Sequence, residues 1–468
     1  MKRRLLCAAA ILAVFVIAAA ANWYIDVTNE NTDERVHQHE QAQTVKACDH
    51  DDSVFCTHLP LVSIDTEGKN IPIDKEEIFC RIKIYDKEGV NHHLSDKSDI
   101  DTKSTINIRG ASSRHFDKHS YRMEFRSGRD QQKKRNLKVM GMAADCDWIL
   151  NGPFLDKSLM RNYMMYNLSG EIMAWAPNVR FCEVFLNGEY QGVYVMTETI
   201  KVDQDRVDLH EYDPKEIETS YLIERNRPNT TSDAVMTFGK QAGYTEGELG
   251  ILYPNRKNIT EQTYDWIRDD INEIEKLLYS LDYDEWNYGY YNFIDVDSFV
   301  DYVVINEFSN NLDQGSYSTY AYRPLGGKLT MGPVWDFNNS FGLYDKNPMG
   351  FFLYGKPWFM MLMKDETFVQ DVIDRYRVLR KSYLSEDYLF SYIDSVREYL
   401  GPAVDRNFEK WGYSFEKRFF DDPKREIRSY DQAIGQLKSF IHQRIEFMDE
   451  NIEVLKQYCH ESMVKPYN

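Results

Sequence analysis

The sequence lacks an excess of positive charge. Its 468 residues include 56 lysines and arginines but 75 aspartates and glutamates, which gives a formal net charge of −19 at pH 7. A protein that binds nucleic acid through the phosphate backbone needs clustered lysine and arginine side chains, and this chain has no comparable basic stripe. We therefore expect no nucleic-acid partner.

The sequence also lacks internal repeats and low-complexity tracts. With 43% hydrophobic and 14% aromatic residues, it has enough apolar side chains for a large core. Its length leaves room for one large two-lobed domain or for two domains of ordinary size. The chain is therefore predicted to be globular rather than disordered.

Cysteine is sparse, and its spacing matches no zinc-binding pattern. Cys7 lies in an apolar segment at the start of the chain, and the other six are Cys48, Cys56, Cys80, Cys146, Cys182 and Cys459. In an exported protein these six permit up to three disulfide bonds. Only Cys48 and Cys56 are suggested as a pair by their proximity along the chain. We interpret each of these six cysteines as part of a structural disulfide or as a buried free thiol.

The first 24 residues have the pattern of an export segment. A basic head at residues 2–4 precedes an apolar run at 5–21 that ends in small residues. This pattern is typical of a secretory signal peptide or of an uncleaved signal anchor, and the length of the run leaves both open. The polar stretch 25–54 is interpreted as a tether. We expect an extracellular or cell-surface location, with possible membrane anchoring through the N-terminal segment.

The rest of the chain predicts an α+β fold. Short alternating apolar stretches in residues 55–215 predict an antiparallel sheet, which includes a hairpin around the turn Asn187-Gly188. Residues 216–468 carry mostly helical periodicity, as in the amphipathic stretch 260–281. The prediction is a sheet-rich N-terminal part (55–215) and a helical C-terminal part (216–468) that carries the catalytic and metal loops.

Two aspartates in the C-terminal part suggest a chemistry. Asp313 and Asp336 stand 23 residues apart, and the sequence between them predicts a strand hairpin with a turn at 324–327. A hairpin brings both acids to the same end. One carboxylate can then orient a nucleophilic hydroxyl while the other holds magnesium against nucleotide phosphates. Alternatively, each aspartate only caps a turn.

Four blocks of sequence carry a family resemblance. They read RGASSRHFDKHSYRMEF at 109–125, WILNGPFLDKSLMRNYMMYNLS at 148–169, FLNGEYQGVYVMTETI at 185–200 and LDQGSYSTYAYRPLGGKLTMGPVWDFNNSFG at 312–342. In this order and spacing the chain resembles the CotH family of atypical protein kinases. The resemblance implies a bilobal, protein-kinase-like fold that transfers a phosphoryl group from ATP to a protein hydroxyl with Mg²⁺ or Mn²⁺.

The resemblance also implies roles for individual residues. Asp313 matches the catalytic aspartate, and Asp336 matches the metal-binding aspartate that conventional kinases carry in their DFG motif. Lys118 matches a lysine that contacts the nucleotide phosphates, and Glu198 an acid implicated in nucleotide binding. The alternatives are a solvated surface lysine at 118 and a surface ion pair between Glu198 and Lys201.

The sequence departs from conventional kinases at two places. No GxGxxG motif is present, and only the small polar turn with Gly110, Ser112 and Ser113 offers backbone donors to a phosphate. Ser318 stands where a conventional kinase has a metal-binding asparagine, so a second metal would need another oxygen, for which Asn338 or Asn339 is the candidate.

A further pair in the matched blocks is Arg161 and Asn162. We interpret them as structural support, with Arg161 buried against an acid. The leading hypothesis is thus an exported protein kinase with a nucleotide and a protein acceptor as partners. The alternatives are a surface adhesion or coat-assembly protein with a degenerate nucleotide pocket, or an enzyme that transfers another group, such as AMP.

Overall fold

The computed structural model describes residues 35–41, 55–73, 76–128, 132–228, 234–243, 246–343, 347–417 and 427–460. The predicted export segment, most of the predicted tether and Cys48 lie outside these ranges. Within them, none of the helices combines the length and the apolar character that a membrane crossing requires. The chain divides into two compact units, residues 1–41 and 42–468. In the first unit, residues 37–40 form a turn that is closed by a hydrogen bond from the Glu40 N–H to the His37 carbonyl, at 3.0 Å.

The first sheet of the larger unit is built from the N-terminal part of the chain. Its strands are β1 (Leu61–Asp65), β2 (Ile78–Tyr85), β3 (Ile100–Arg109), β4 (Ser120–Ser127), β5 (Lys133–Lys134), β8 (Asp147–Asn151), β9 (Val179–Leu186) and β10 (Glu189–Glu198), while β6 (Leu137–Val139) and β7 (Met142–Asp145) form a separate hairpin. The strand order is β3-β2-β1-β9-β10-β8-β4-β5, and an additional β3–β4 pairing closes the sheet on itself. All pairings are antiparallel except β1 with β9.

Alternation along the strands fills the interior of this sheet. In β2, Ile82 and Ile84 are fully buried, whereas Arg81, the neighbour of Ile82, is exposed. Such a two-residue period points alternate side chains to opposite faces of a strand. The β9–β10 hairpin turns at Asn187 and Gly188, both with left-handed φ angles of 50° and 82°, as a tight hairpin turn requires. The predicted hairpin is confirmed.

A second sheet lies in the C-terminal part of the chain. It contains β11 (Tyr221–Asn226), β12 (Glu248–Tyr253), β13 (Thr319–Arg323) and β14 (Thr330–Met331), in the order β12-β11-β13-β14. The pairing of β13 with β14 is the hairpin predicted between the two aspartates. Its turn closes through a hydrogen bond from the Gly327 N–H to the Pro324 carbonyl, at 2.8 Å. Strands β11 and β12 were not predicted.

The helices of the larger unit fall mainly in the C-terminal part. They are α1 (Arg161–Ile172), α2 (Phe238–Gln241), α3 (Glu261–Leu278), α4 (Val296–Ser309), α5 (Phe359–Leu362), α6 (Glu366–Leu379), α7 (Glu386–Leu400), α8 (Pro402–Trp411) and α9 (Tyr430–Asn451). Sheets and helices together make an α+β fold. Helix α3 begins as predicted, because the Thr260 hydroxyl caps it by accepting the Thr263 N–H at 3.1 Å.

The residue pattern of the sequence predicts a helix over 156–172 with Asp156 as its cap, but helix α1 begins at Arg161. The Asp156 carboxylate instead accepts the backbone N–H groups of Ser158 and Arg161, at 3.1 and 2.9 Å. The short loop 156–160 is folded around this one carboxylate. Arg161 is 1% exposed and its guanidinium pairs with Asp156, as predicted for a buried arginine.

A second buried arginine fixes the end of α4, from which the loop with Asp313 departs. Arg444 of α9 is fully buried and pairs with Glu307 at 3.3 Å. It also donates to the carbonyls of Glu307, Pro348 and Gly350. Since removal of one member of a buried ion pair leaves an uncompensated charge, this contact holds α4 and α9 firmly together.

The cysteines show little cross-linking in the part of the chain that the structure describes. Cys56 is in a disulfide bond, and its suggested partner Cys48 lies outside the described residues. Cys80, Cys146, Cys182 and Cys459 are free thiols. Burial raises the pKa of Cys80 to about 12, so this thiol is not poised to react as a thiolate.

Candidate active site

A cavity of about 1020 Å³ brings together four of the six residues for which a role was predicted, Asp313, Asp336, Ser112 and Ser113. Its walls come from the loop 109–114 after β3, the segment 151–156 after β8, the end of β11, and the two loops that carry the aspartates. The first sheet and the second sheet therefore both contribute to one cleft, which is the candidate active site.

Asp313 lies in the loop that follows α4. The helix ends at Asn310, whose left-handed φ of 49° turns the chain away from the helix axis. The Asp313 carbonyl accepts the Tyr317 N–H at 2.8 Å, which makes the loop a compact turn. Both carboxylate oxygens lie 3.3 Å from the guanidinium of Arg227, and the Asp313 side chain is 30% exposed. This carboxylate therefore forms an ion pair and is also accessible from the cleft.

Asp336 is fixed through its backbone. Its N–H donates to the Tyr166 hydroxyl at 3.1 Å, and its carbonyl accepts from the Asn311 side chain at 3.0 Å. Its φ is 59°, in the left-handed region that aspartate tolerates better than most residues. Backbone strain of this kind persists only where the surroundings impose it. Here those surroundings aim one carboxylate into the cleft.

Two hydrogen bonds join the two aspartate loops directly. Besides the bond from Asn311, the Gln314 amide donates to the Trp335 carbonyl at 2.7 Å. Gln314 is itself held by the Tyr302 hydroxyl of α4, at 2.6 Å. The residues beside each aspartate are thus tied to each other, which sets the relation between the two carboxylates before any ligand binds.

Asn162 and Asn338 extend this network from α1. Asn338 donates to an Asp336 carboxylate oxygen at 2.6 Å, and Asn162 donates to Asn338 at 2.8 Å. Asn162 also accepts the Phe337 N–H at 2.8 Å. The predicted structural support by Asn162 is therefore present. Ser318 and Asn339 line the cavity as well, and a second metal with an oxygen of Asn338 or Asn339 as its ligand stays a prediction.

The electrostatics of Asp336 favour a cation. Burial raises the pKa of this carboxyl, the nearby Arg109 lowers it, and Asp313 raises it again. Asn338 donates to this carboxyl from its side chain and from its backbone, and both bonds lower the pKa less than burial raises it. An oxygen ligand with a partly uncompensated charge suits a hard divalent cation, and Mg²⁺ typically takes only one or two protein carboxylates beside phosphate oxygens. The residues present therefore fit such an ion.

Lys118, the predicted phosphate contact, does not line the cavity. It is 2% exposed, and its ammonium donates to the Val193 carbonyl at 2.6 Å and to the Asn407 side chain at 2.8 Å. Burial, followed by the charge of Lys157, shifts the pKa of Lys118 well below its usual value. It is not the surface lysine of the alternative interpretation. Its phosphate contact stays a prediction that would require both hydrogen bonds to break.

The helix that holds Lys118 was missed by the sequence interpretation. Helix α8 packs on β10, where Asn407 also accepts the Val193 N–H at 3.1 Å and Trp411 donates to the Gln191 carbonyl at 2.7 Å. Gly192, with a φ of 98°, makes this approach possible, because a Cβ there would lie 2.4 Å from the Asn407 oxygen. The packing of α8 on the sheet is what encloses the lysine.

Glu198, the other predicted nucleotide contact, is also outside the cavity wall. It is fully buried at the end of β10 and accepts the Asn178 backbone N–H and side-chain amide at 2.9 and 3.0 Å. Burial lowers the pKa of Arg180, and the nearby charge of Glu198 raises it by a smaller amount. Lys201, the alternative partner, pairs instead with Asp145 at 2.6 Å. A nucleotide role for Glu198 stays a prediction.

The charged residues of the cleft to which the sequence assigned no role include Arg109, Glu224 and Arg227. Glu224 accepts hydrogen bonds from the Tyr320 hydroxyl at 2.8 Å and from Asn226 at 2.6 Å, and burial raises its pKa. A glutamate and two arginines at the ends of strands are ordinary in sequence. Only the pairing of the two sheets around one cavity reveals their proximity.

Two further groups of metal-ligating side chains occur in the described residues. One is Glu124, Cys146 and Asp147. The acids of this group pair with Arg126, Lys134 and Arg122, so their charges are already compensated. The other consists of His37, His39 and Glu40 within the short segment 35–41. Neither group includes a residue of the cleft.

Comparison with known proteins assigns the class. The family model described as CotH kinase protein matches residues 106–448. The chain therefore belongs to the CotH family. It is also similar to a protein named inner spore coat protein H from Bacillus subtilis (strain 168), with 22% identity over 409 residues that cover 85% of this chain and 99% of that protein.

Proposed function

We propose that this protein is an exported, atypical protein kinase that transfers the γ-phosphoryl group of ATP to a protein hydroxyl. The observation that carries the proposal is the cleft in which Asp313 and Asp336 are held by two hydrogen-bonded loops. Phosphoryl transfer relies mainly on positioning and on charge stabilisation, so two pre-oriented carboxylates are what the chemistry needs from the protein.

Asp313 is proposed to orient the acceptor hydroxyl. Its side chain is 30% exposed, so an incoming side chain can reach it. Its carboxylate lies 3.3 Å from the Arg227 guanidinium and can also accept a hydrogen bond from a hydroxyl. Displacement of Arg227 by the acceptor or by a phosphate oxygen would leave Asp313 free to take the proton.

Asp336 is proposed to hold the divalent metal, with Asn338 or Asn339 nearby. When bound, such an ion neutralises charge on the phosphates and on the leaving group. The chain's own part is to fix the Asp336 carboxylate by the contacts with Tyr166 and Asn311. A kinase-like, two-lobed arrangement is part of the proposal, because the cleft is walled by the first sheet on one side and by C-terminal loops on the other.

The location is proposed from two observations. The sequence begins with a basic head and an apolar run typical of export, and the similar protein from Bacillus subtilis is named for the inner spore coat. We propose that this chain acts at the cell surface or in the extracellular space, on a protein acceptor there.

The test is transfer from γ-labelled ATP to peptides that contain serine, threonine or tyrosine, with Mg²⁺ or Mn²⁺. We expect label in the wild type and none in Asp336→Asn or Asp313→Asn, while the exposed acid variant Asp371→Asn on α6 should keep full activity. Product mass distinguishes a phosphoryl group from AMP. Full activity in Asp336→Asn would refute the proposed role.

A surface-assembly protein with a degenerate nucleotide pocket is the second candidate. The buried state of Lys118 favours it, since this lysine does not reach the cavity. A ligand that binds only the folded state raises stability by about 2.7 kcal/mol at a hundredfold excess over Kd. No change in melting temperature with ATP, ADP or AMP and either metal would favour this second candidate.

A further inference from the structure

Arg109 is a cation of the cleft with no role so far. It is the last residue of β3, and its guanidinium lies 5.5 Å from the centre of the Trp335 ring. The Arg109 guanidinium makes no hydrogen bond or ion pair with another described residue. Yet its charge lowers the pKa values of both Glu224 and Asp336, so it lies within electrostatic reach of two acids. All five N–H donors of this guanidinium are thus available to a ligand.

The other cations near the cleft are engaged. Arg227 faces the Asp313 carboxylate at 3.3 Å and lies 4.5 Å from the centre of the Tyr317 ring. Arg114 donates to the Ala111 carbonyl at 3.0 Å. Lys118 is held by α8 and β10. Among these cationic side chains, Arg109 is the one whose guanidinium donates to no other described residue.

The turn after Arg109 adds backbone donors. Gly110 has a φ of 114°, and a Cβ there would lie 2.0 Å from the Ser113 hydroxyl. This glycine therefore lets the chain fold tightly across the cavity wall. The N–H groups of Ala111 and Ser112 donate to no other described residue, and both residues line the cavity. Consecutive unsatisfied N–H groups in a turn form a recognised anion-binding arrangement.

We infer that Arg109 and the 110–113 turn form an anion subsite for the terminal phosphates of a nucleoside triphosphate. The planar guanidinium can contact two phosphate oxygens at once, which the point charge of a lysine cannot do. The identification of the ligand as a nucleotide rests on the proposed function. The subsite itself requires only a polyphosphate. Arg109 then does here what the sequence interpretation assigned to Lys118.

The test is isothermal titration of the full-length protein with ATP, tripolyphosphate and adenosine, without nucleotide turnover. Arg109→Gln should weaken binding of ATP and tripolyphosphate roughly 10- to 100-fold, because charge-assisted hydrogen bonds are lost, and leave adenosine binding unchanged. The affinity of Arg109→Lys for ATP and tripolyphosphate should fall between the affinities of the wild type and of Arg109→Gln. Arg135→Gln is the control, since this exposed arginine bonds only Asp101 and Thr102 outside the cleft and carries the same change of charge.

The three ligands separate this inference from the proposed function. Equal ATP and tripolyphosphate affinities in the wild type and in Arg109→Gln overturn the inference and leave the function standing. Arg109-dependent binding of tripolyphosphate without any binding of ATP supports the subsite and contradicts a nucleotide function. No binding of either by the wild type contradicts both. If Arg109→Gln does not fold, wild-type affinity in Arg109→Lys overturns the inference.

Discussion

Lys118 and Arg109 lie nine residues apart in the chain, yet their surroundings are opposite. The Lys118 ammonium donates to two buried acceptors, a helix covers it, and Gly192 lets that helix come close. The Arg109 guanidinium donates to no other described residue, and the acids within its electrostatic reach are Glu224 of β11 and Asp336, whose φ is 59°. One region is satisfied by the fold alone. We propose that a ligand completes the other.

This difference indicates which residues act on a substrate and which act on the fold. A buried polar group that is fully hydrogen-bonded adds rigidity, whereas polar groups that stay unpaired in a cavity are retained for binding or chemistry. By that criterion, we expect Asp336 and Arg109 to act in binding or chemistry and Lys118 to stabilise the fold. The substitutions below test this division.

The largest expected effect is that of Asp336→Asn on transfer. The amide keeps the shape and the neighbours of the carboxylate but cannot supply its charge, so we expect transfer to fall roughly a hundredfold or more. Melting temperature should not fall, because a buried charge is removed. Transfer assays and thermal melts of the same preparation check both. A loss of activity that accompanies unfolding would place Asp336 with the residues of the fold.

The second prediction concerns Asn407, on the satisfied side of the comparison. Asn407→Ala leaves the buried Lys118 ammonium with one acceptor and the Val193 N–H with none, so unfolding should become easier by about 2 kcal/mol. Chemical denaturation measures this directly. Because Asn407 lies outside the cavity wall, affinity for ATP should be unchanged. A selective loss of ATP affinity would instead support the role of Lys118 that its family resemblance implies.

The same division explains how far the sequence could lead. The β9–β10 hairpin, the β13–β14 hairpin and α3 follow from local signals, namely the turn residues Asn187 and Gly188, the Gly326-Gly327 turn and the Thr260 cap. Placing Asp313 and Asp336 in one cleft also followed, because the hairpin between them brings both to the same end.

The rest of the site depends on contacts between distant parts of the chain. Lys118 is buried against Asn407, which lies 289 residues further along the chain. The two residues come together only when α8 packs on β10. Likewise, the contact between Gln314 and Trp335 forms only in the folded chain. No local pattern encodes such pairings, so the sequence does not show that Lys118 is enclosed.

The third prediction tests the close approach of α8 to β10. Gly192→Ala places a Cβ 2.4 Å from the Asn407 oxygen at a backbone angle that suits glycine, so the helix must shift. We expect a destabilisation of about 1 to 2 kcal/mol, measured by chemical denaturation. Gly68→Ala is the matched control, since its φ is also positive but nothing lies within 4 Å of the added Cβ. Equal effects of the two would show that backbone strain alone, rather than packing of α8, determines the cost.

The smallest expected effect is a pH-dependent one at Glu224. Burial raises the pKa of this carboxyl in the folded protein, so its contribution to stability is full below the unfolded pKa of about 4.3 and is lost as pH rises through the folded pKa. Glu224→Gln escapes that loss. Its melting temperature relative to the wild type should therefore rise with pH above that value and then stay constant.

Asp101 supplies the control of opposite sign. The Arg81 guanidinium lowers the pKa of the Asp101 carboxyl, so this residue contributes stability above its unfolded pKa and loses it on acidification. Asp101→Asn should therefore melt slightly below the wild type at neutral pH and match it in acid. If Glu224→Gln followed the same course as Asp101→Asn, Glu224 would be paired in solution, and Arg109 would be its partner rather than a donor kept for an anion.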